Sequence, residues 1–458
     1  MEKIMDVVII GAGISGLSAA HFIKKLIPSS DVMLLEAEGR AGGAIQSFAQ
    51  DGFLAEWGPH GFLDNAAESR EILEDTGLYS EAQQAPLGDF HRYVCHGGRL
   101  VQIPQKPGKA LLTPLLPWWG KIRVLGDLWI RPEPQDQTLG QWAARRFGKS
   151  VLPLIDAAVT GSFSGDYNRL SIDAVMPGLR KLELEHGSVI RALVRKLREK
   201  KGTIKERLPA MNNFPQGLER LVEVMAKGKN ISYGSGVTAI SRVNGNWQLA
   251  TANRVVTARN IIMALPVNSG LRLLSAIKKP PLAEVPVSRI CNVVLGYDAG
   301  AKVPYGFGYL APECEKRFTL GVLFSSHMFP NRAPAGRVLL EALVGGRRHP
   351  ERLELSDEAM IAAVCQDIGQ LLDLPARPLF AKVLRPASAI PQLEMDHPKM
   401  LAYRAALERE NEGLYICGFG WDGVGINDMV KAARKAVTAI SAGGRGEEGA
   451  VPVKPVYF

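Results

Sequence analysis

The chain lacks most of what a disulfide-bonded, zinc-bound or membrane-spanning protein needs. Its cysteines, Cys95, Cys291, Cys314, Cys365 and Cys417, are odd in number and far apart, with no CxxC pair. That argues against a disulfide framework or a zinc site and for a reducing compartment. No apolar run reaches the ~18 residues of a spanning helix. The eight His residues are scattered and suggest neither a catalytic dyad nor a metal site. No Lys/Arg run interleaves with aromatics, so no nucleic-acid partner is expected. Nor does the start read as a signal peptide, because Asp6 interrupts the apolar run and a glycine motif follows at once. With no organelle presequence either, the expectation is a cytoplasmic protein of bacterial type.

What is present is a globular composition: 458 residues, 46% hydrophobic and 22% charged. That length suggests two or three domains. The net charge of +9 fits a solvated surface, an acidic ligand or an anionic membrane surface.

The N-terminal region carries the clearest signal. Val7 to Ile10 is a β-branched run ending in Gly11-x-Gly13-x-x-Gly16, then a helical pattern from Leu17 to Leu26 and a second apolar run ending at Glu36. Strand, glycine turn, helix and strand in this order form a dinucleotide-binding βαβ unit. Gly11 permits the tight turn, Gly13 admits a pyrophosphate, and Gly16 lets helix and strand pack closely. The helix start, with Ile14 and Ser15, offers N–H groups to phosphates. Glu36, beside Ala37, suits ribose hydroxyls. Arg40 and the pair Gly42-Gly43 follow, giving a longer dinucleotide more cover than NAD requires.

This stretch resembles the flavin amine oxidase superfamily, whose pattern after the second strand is E-x(3)-R-x-G-G. Ala44 stands where many members carry a further Arg. The resemblance implies FAD. Near the other end, Asp422-Gly423-Val424-Gly425 matches the superfamily's D-G-V-G after Gly418, with Phe419 where Asn is usual and Ile426 opening the next helix. No Cys lies between Gly418 and Gly425, so a non-covalent flavin is implied. Val237 would reach the adenine, and Gly58, Pro59 and His60 would lie beside the isoalloxazine. His60 also reads as a satisfied structural histidine.

Four stretches narrow the resemblance to protoporphyrinogen oxidases. Residues 159–190 carry Gly161, Gly165, Asp166, Leu170, Ser171, Pro177, Glu183, Gly187 and Ser188 in family order, with Ser164 in place of Ala. Residues 318–346, 92–104 and Glu56-x-Gly58-Pro59 supply the rest. The implied reaction is oxidation of protoporphyrinogen IX to protoporphyrin IX with dioxygen, in haem synthesis. Coproporphyrinogen III is the alternative substrate, and another amine oxidase-type activity a further one. The hydride passes to the flavin and the pyrrole N–H protons can leave by tautomerisation, so no strong catalytic base is required. Arg92 aligns with the family's propionate-binding Arg; its other reading is a surface ion pair. Phe324, Phe329 and Leu343 are candidates for a flat wall against the macrocycle, or plain core.

The expected fold is α/β. A discontinuous Rossmann-type FAD-binding domain takes residues 1–80, 208–270 and 408–445, and a mixed α+β substrate domain takes 81–108 and 271–407. Residues 109–207 form a helical part and 446–458 a loose tail. Within the helical part, Trp118, Trp119 and Trp129 mix with leucines and Lys109, Lys121, Arg123 and Arg131, which suits a bilayer interface. The related enzymes dock on membranes through this part, so a peripheral place on the inner face of the cell membrane is implied; a buried helical layer is the other reading. A homodimer is left open.

Overall fold

The computed structural model describes residues 3–105, 112–199 and 208–443. The expected tail 446–458, residues 200–207 of the helical part and Lys109 lie outside them.

Runs such as Val7-Val8-Ile9-Ile10 have apolar residues on both sides of the strand, so both faces need cover. They receive it. Val7 and Ile9 enter one core with the helices Ile14–Leu26, Glu219–Ala226 and Ile426–Ser441, while Val8 and Ile10 enter another with Val267–Leu274 and His397–Glu410. The sheet between has seven strands. Ile231–Ser232, Val32–Leu35, Met5–Ile10, Val255–Met263 and Leu414–Ile416 run parallel, and the hairpin Val237–Val243 and Asn246–Thr251 closes one edge antiparallel. Leu271, Met400 and Tyr403 belong to this core, so its packing extends past positions 270 and 408 into the neighbouring segments.

A second seven-stranded sheet has the order Phe380–Leu384, Ile290–Tyr297, Val338–Gly345, Gly321–Leu323, Gly308–Leu310, Arg92–His96 and Arg99–Gln102. The helix Asp357–Ile368 covers one of its faces. Of the β-like run 318–324, only Gly321–Leu323 forms a strand. The reason is Asp367, whose carboxylate takes the N–H groups of Phe318 and Thr319 at 3.2 and 3.0 Å and draws them off the ladder.

The third part is helical, built around Leu139, Trp142, Leu170 and Ile172. One buried carboxylate organises it. Glu183 accepts from Trp142 Nε1 at 2.6 Å and from Arg145 and Arg180, each at 2.7 Å. Nearby, Arg146 pairs with Asp127 at 2.6 Å, and Ser188, at the start of the helix Val189–Glu199, donates to that same carboxylate. A small sheet, Phe62–Leu63, Ala210–Asn213 and Gln83–Pro86, ties these parts together. Removing one partner from a buried charge cluster strands the others. Glu183→Ala is therefore expected to lower stability by about 3–5 kcal/mol, read as a fall in the chemical denaturation midpoint at unchanged slope.

Candidate active site

The end of strand Val255–Met263 has parallel neighbours on both sides, since Ile10 and Ile416 both register with Met263. The two helices that follow, starting at Ile14 and Ile426, thus begin next to each other at the carboxyl edge of the sheet. Ile14 and Ile426 share one buried core. No side chain caps the first helix at Gly13, so N–H groups of Ile14, Ser15 and Gly16 are available to an anion. The helix starts at Ile14 rather than Leu17 because the glycine turn itself forms its cap.

The glycines do what close approach demands. A Cβ on Gly16 would lie 1.9 Å from the Gly11 carbonyl oxygen, whereas one on Gly13 would meet nothing within 4 Å. Gly13 therefore faces open space. Gly42 bridges to Gly13, its N–H donating to the Ala12 oxygen at 2.9 Å, and exposed Gly43 sits beside Gly13. Two bare backbone turns lie edge to edge, a cradle fitted to a pyrophosphate. Arg40 acts on this cradle indirectly. Its guanidinium donates to the carbonyls of Ala41, Gly43 and Ile45 and holds the second turn folded.

Glu36 is buried, and its carboxylate accepts from the Ala12 N–H at 2.7 Å and the Glu38 N–H at 2.9 Å. Each oxygen keeps a further lone pair for a hydroxyl. The Ser235 N–H donates to the Glu36 carbonyl at 2.7 Å, and Gly236 packs on Ala37. Val237 is thereby brought to the same end of the sheet as Glu36. In the C-terminal loop, Gly418 and Gly423 have φ of +125° and +152°, and Cβ atoms there would strike the Leu265 oxygen and the Asp428 carboxylate. Asp422 is bound by Arg404 at 2.5 and 2.8 Å, which stiffens the loop. Val424 is half-buried and Gly425 exposed at the helix start. Cys417, just before the loop, is wholly buried, and burial pushes its thiol upward.

A charged seam joins this cradle to the second sheet. Gly58 packs on the Ala44 oxygen, beyond the second glycine turn, with half-buried Pro59 next to it. From there His60 Nε2 reaches Glu341 at 3.0 Å. Glu341 also accepts from Ser325 at 2.6 Å and Asn292 at 2.5 Å. Glu56 pairs with Arg332 at 2.8 Å and accepts from Ser47, Asn213 and the Leu218 N–H. Burial works against charge on both members of the first pair, but their mutual attraction outweighs it. The Glu341 carboxyl is held down at about 2 and His60 above its usual value. Glu341, Asn292 and Arg332 do not stand out in the motif reading. The available signal was one carboxylate inside the apolar strand Val338–Gly345, and one amide inside Ile290–Tyr297.

Side-chain alternation gives the second sheet two faces. Val322, Leu340, Ala342 and Val344 point into the core under the helix Asp357–Ile368. The register sets Glu341, Leu323, Gly308 and Arg92 in one row across the other face, and Asn292, Leu343 and Gly321 in the next. Glu341 and Arg92 are thus three strand spacings apart, about 14 Å, with Leu323 and Gly308 between. The half-buried Arg92 guanidinium has no partner among the described residues; its Nε is buried, and burial alone lowers its pKa. The reading of Arg92 as a surface ion pair therefore fails.

Leu343 is half-buried on this open face, but the other two wall candidates need correction. Phe324 is fully buried beside Tyr309 in the core behind the sheet, where it can touch nothing outside the protein. Phe329 is buried with Phe90 and Phe307 beneath Arg332. Tyr305, stacked on Phe90 at 5.1 Å, remains exposed.

The family model for flavin containing amine oxidoreductases matches residues 14–441. The chain is 30% identical to the chloroplastic protoporphyrinogen oxidase of Nicotiana tabacum, over 95% of this chain and 85% of that one. It is 28% identical to the coproporphyrinogen III oxidase of Bacillus subtilis, over 94% and 97%. A crystal structure from Exiguobacterium sp. 255-15, provisionally described as a protoporphyrinogen oxidase, superposes with a TM-score of 0.80 over 97% of this chain and 100% of that one, at 22% identity. That likeness bears on the fold.

The seam pair has a pH signature. His60 is raised from 6.5, so its contribution to stability is complete below 6.5 and is lost as pH rises through the folded value. Glu341 is lowered from 4.5 to about 2, so its contribution is complete above 4.5 and is lost as pH falls toward 2. The stability difference between the native protein and His60→Gln should be greatest between these limits and shrink on both sides, as measured by thermal unfolding across pH.

Proposed function

The chain belongs to the family of flavin-containing amine oxidoreductases, and from that premise we propose that it binds FAD non-covalently and oxidises protoporphyrinogen IX to protoporphyrin IX with dioxygen, in haem synthesis. The cradle residues that would hold FAD are Gly11, Gly13, Ile14, Ser15, Gly16, Glu36, Ala37, Gly42, Gly43, Val237, Gly418, Gly423, Val424, Gly425 and Ile426, with Arg40 bracing the second turn. Gly58, Pro59 and His60 would border its ring end. Non-covalent binding is supported by the lack of any Cys from Gly418 to Gly425 and by the burial of Cys417. When bound, a flavin accepts two electrons at a time from a reduced carbon and passes them to dioxygen, and three rounds make a porphyrin.

The chain's own part is binding and orientation. The observation that carries the reading is Arg92, a half-buried guanidinium with no partner among the described residues, at the far end of the sheet row that begins at Glu341 beside His60. A guanidinium left without a carboxylate suits one brought by the ligand. A flat substrate with a propionate on Arg92 would lie over Gly308 and Gly321, with Leu343 at its side. Coproporphyrinogen III is the second reading, because the Bacillus subtilis relative covers 97% of its own length at nearly the same identity. No helix among the described residues is long and apolar enough to cross a membrane. Peripheral docking is supported by Leu112, Trp118, Ile122 and Trp129, all exposed along one short stretch.

Flavin-loaded protein is expected to generate porphyrin fluorescence in air from one or both porphyrinogens. A rate no higher than autoxidation with either would refute the reading, and the ratio of rates identifies the substrate. Arg92→Ala should raise KM about 10- to 100-fold, the worth of a charge-assisted hydrogen bond, with the flavin spectrum unchanged. Trp118→Ser combined with Trp129→Ser should abolish flotation with anionic vesicles and leave the rate on detergent-dispersed substrate unaltered.

A further inference from the structure

The seam is costly unless it has a use. Glu341 sits in the middle of an otherwise apolar strand, and a buried ion pair seldom stabilises a fold more than apolar packing would. Its charge count also defines one member. Glu56 and Glu341 are two carboxylates, and Arg332 is one permanent cation. The cluster is neutral only when His60 is an imidazolium. Nε2 of that imidazolium is taken by Glu341, while Nδ1 makes no hydrogen bond among the described residues. The side chain keeps 17% of its surface open, at the point where the glycine cradle meets the substrate face.

We infer that His60, fixed by Glu341, supplies the positive charge and the proton that dioxygen needs as it is reduced to hydrogen peroxide. The inference rests on the flavin of the proposed function but not on the porphyrinogen. In each round the substrate gives up two electrons and one proton from carbon and one proton from nitrogen. Dioxygen takes two electrons and two protons. His60 Nδ1 delivers one proton to the reduced oxygen, and the proton shed by the substrate nitrogen restores the imidazolium. A cation in a water-poor pocket favours the build-up of negative charge on oxygen. The raised His60 value agrees with this resting state. The charged groups facing His60 are Glu341, Glu56 and Arg332; Glu341 loses its charge only near 2, far below the working range.

The test separates the oxidative half-reaction from the substrate. FAD-loaded protein is reduced anaerobically with dithionite, then mixed with dioxygen while flavin absorbance is followed. His60→Gln should slow reoxidation by about 100-fold or more, with FAD content and spectrum unchanged. His60→Lys, which keeps a cation, should restore the rate to within about tenfold of the native protein. In the native protein the rate should fall as pH rises through the His60 value, above 6.5. That fall should be absent in His60→Gln. A His60→Gln rate within about threefold of native, or a native rate independent of pH, overturns the inference. So does loss of flavin from both His60 variants, which would assign His60 to cofactor binding. A protein that reoxidises normally but makes no porphyrin would refute the substrate assignment alone.

Discussion

The Glu56 carboxylate is the point on which the relative placement of the parts depends. It sits at the end of the short strand Phe53–Glu56 and is bound by Ser47, Asn213, the Leu218 N–H and Arg332. Those partners come from three separate stretches of chain, Asn213 and Leu218 sharing one. Ser47 leads from the second glycine turn, Leu218 leads into the helix Glu219–Ala226 on the first sheet's core, and Arg332 lies in the loop before the strand that carries Glu341. An anion buried at this depth is tolerable only with its whole set of donors. One interaction therefore fixes how cradle and second sheet meet, and with it the placing of His60.

The local part of this design was readable in the sequence. The turn Gly11-Gly13-Gly16, Glu36 and the pair Gly42-Gly43 act through backbone geometry within one βαβ unit, and glycine is the residue type that geometry leaves possible. The aromatic wall was not readable. Phe324 and Tyr305 are similar as residues, yet Phe324 follows the strand Gly321–Leu323 into the core while Tyr305 stays exposed on Phe90. Arg40 was read as a ligand contact and is found bracing the turn, since its side chain is long enough to double back on its own loop.

The seam was hidden for a related reason. Glu341, Asn292 and Arg332 are single polar residues with no repeated spacing, and the groups that satisfy them come from distant segments. A carboxylate in a buried strand is the visible clue. Its partner can be identified only after the strand has been set against His60.

Substrate oxidation and flavin reoxidation make opposite electrostatic demands. A hydride leaving a meso carbon is already electron-rich, and the pyrrole protons can leave by tautomerisation, so the substrate side needs shape and one anchoring cation. In the proposed function Arg92 would be that anchor, about three strand spacings from Glu341. Dioxygen arrives neutral and leaves charged unless it is given protons, so its reduction gains from a cation held close by in low dielectric. A cation at the cradle would hinder hydride loss if it were free to approach the macrocycle. The Glu341 carboxylate prevents this by fixing His60 at the seam and balancing its charge. On this proposal His60, held at the Glu341 end of the sheet face, and Arg92, at the other end, would serve different steps, and only His60 would have to carry a proton.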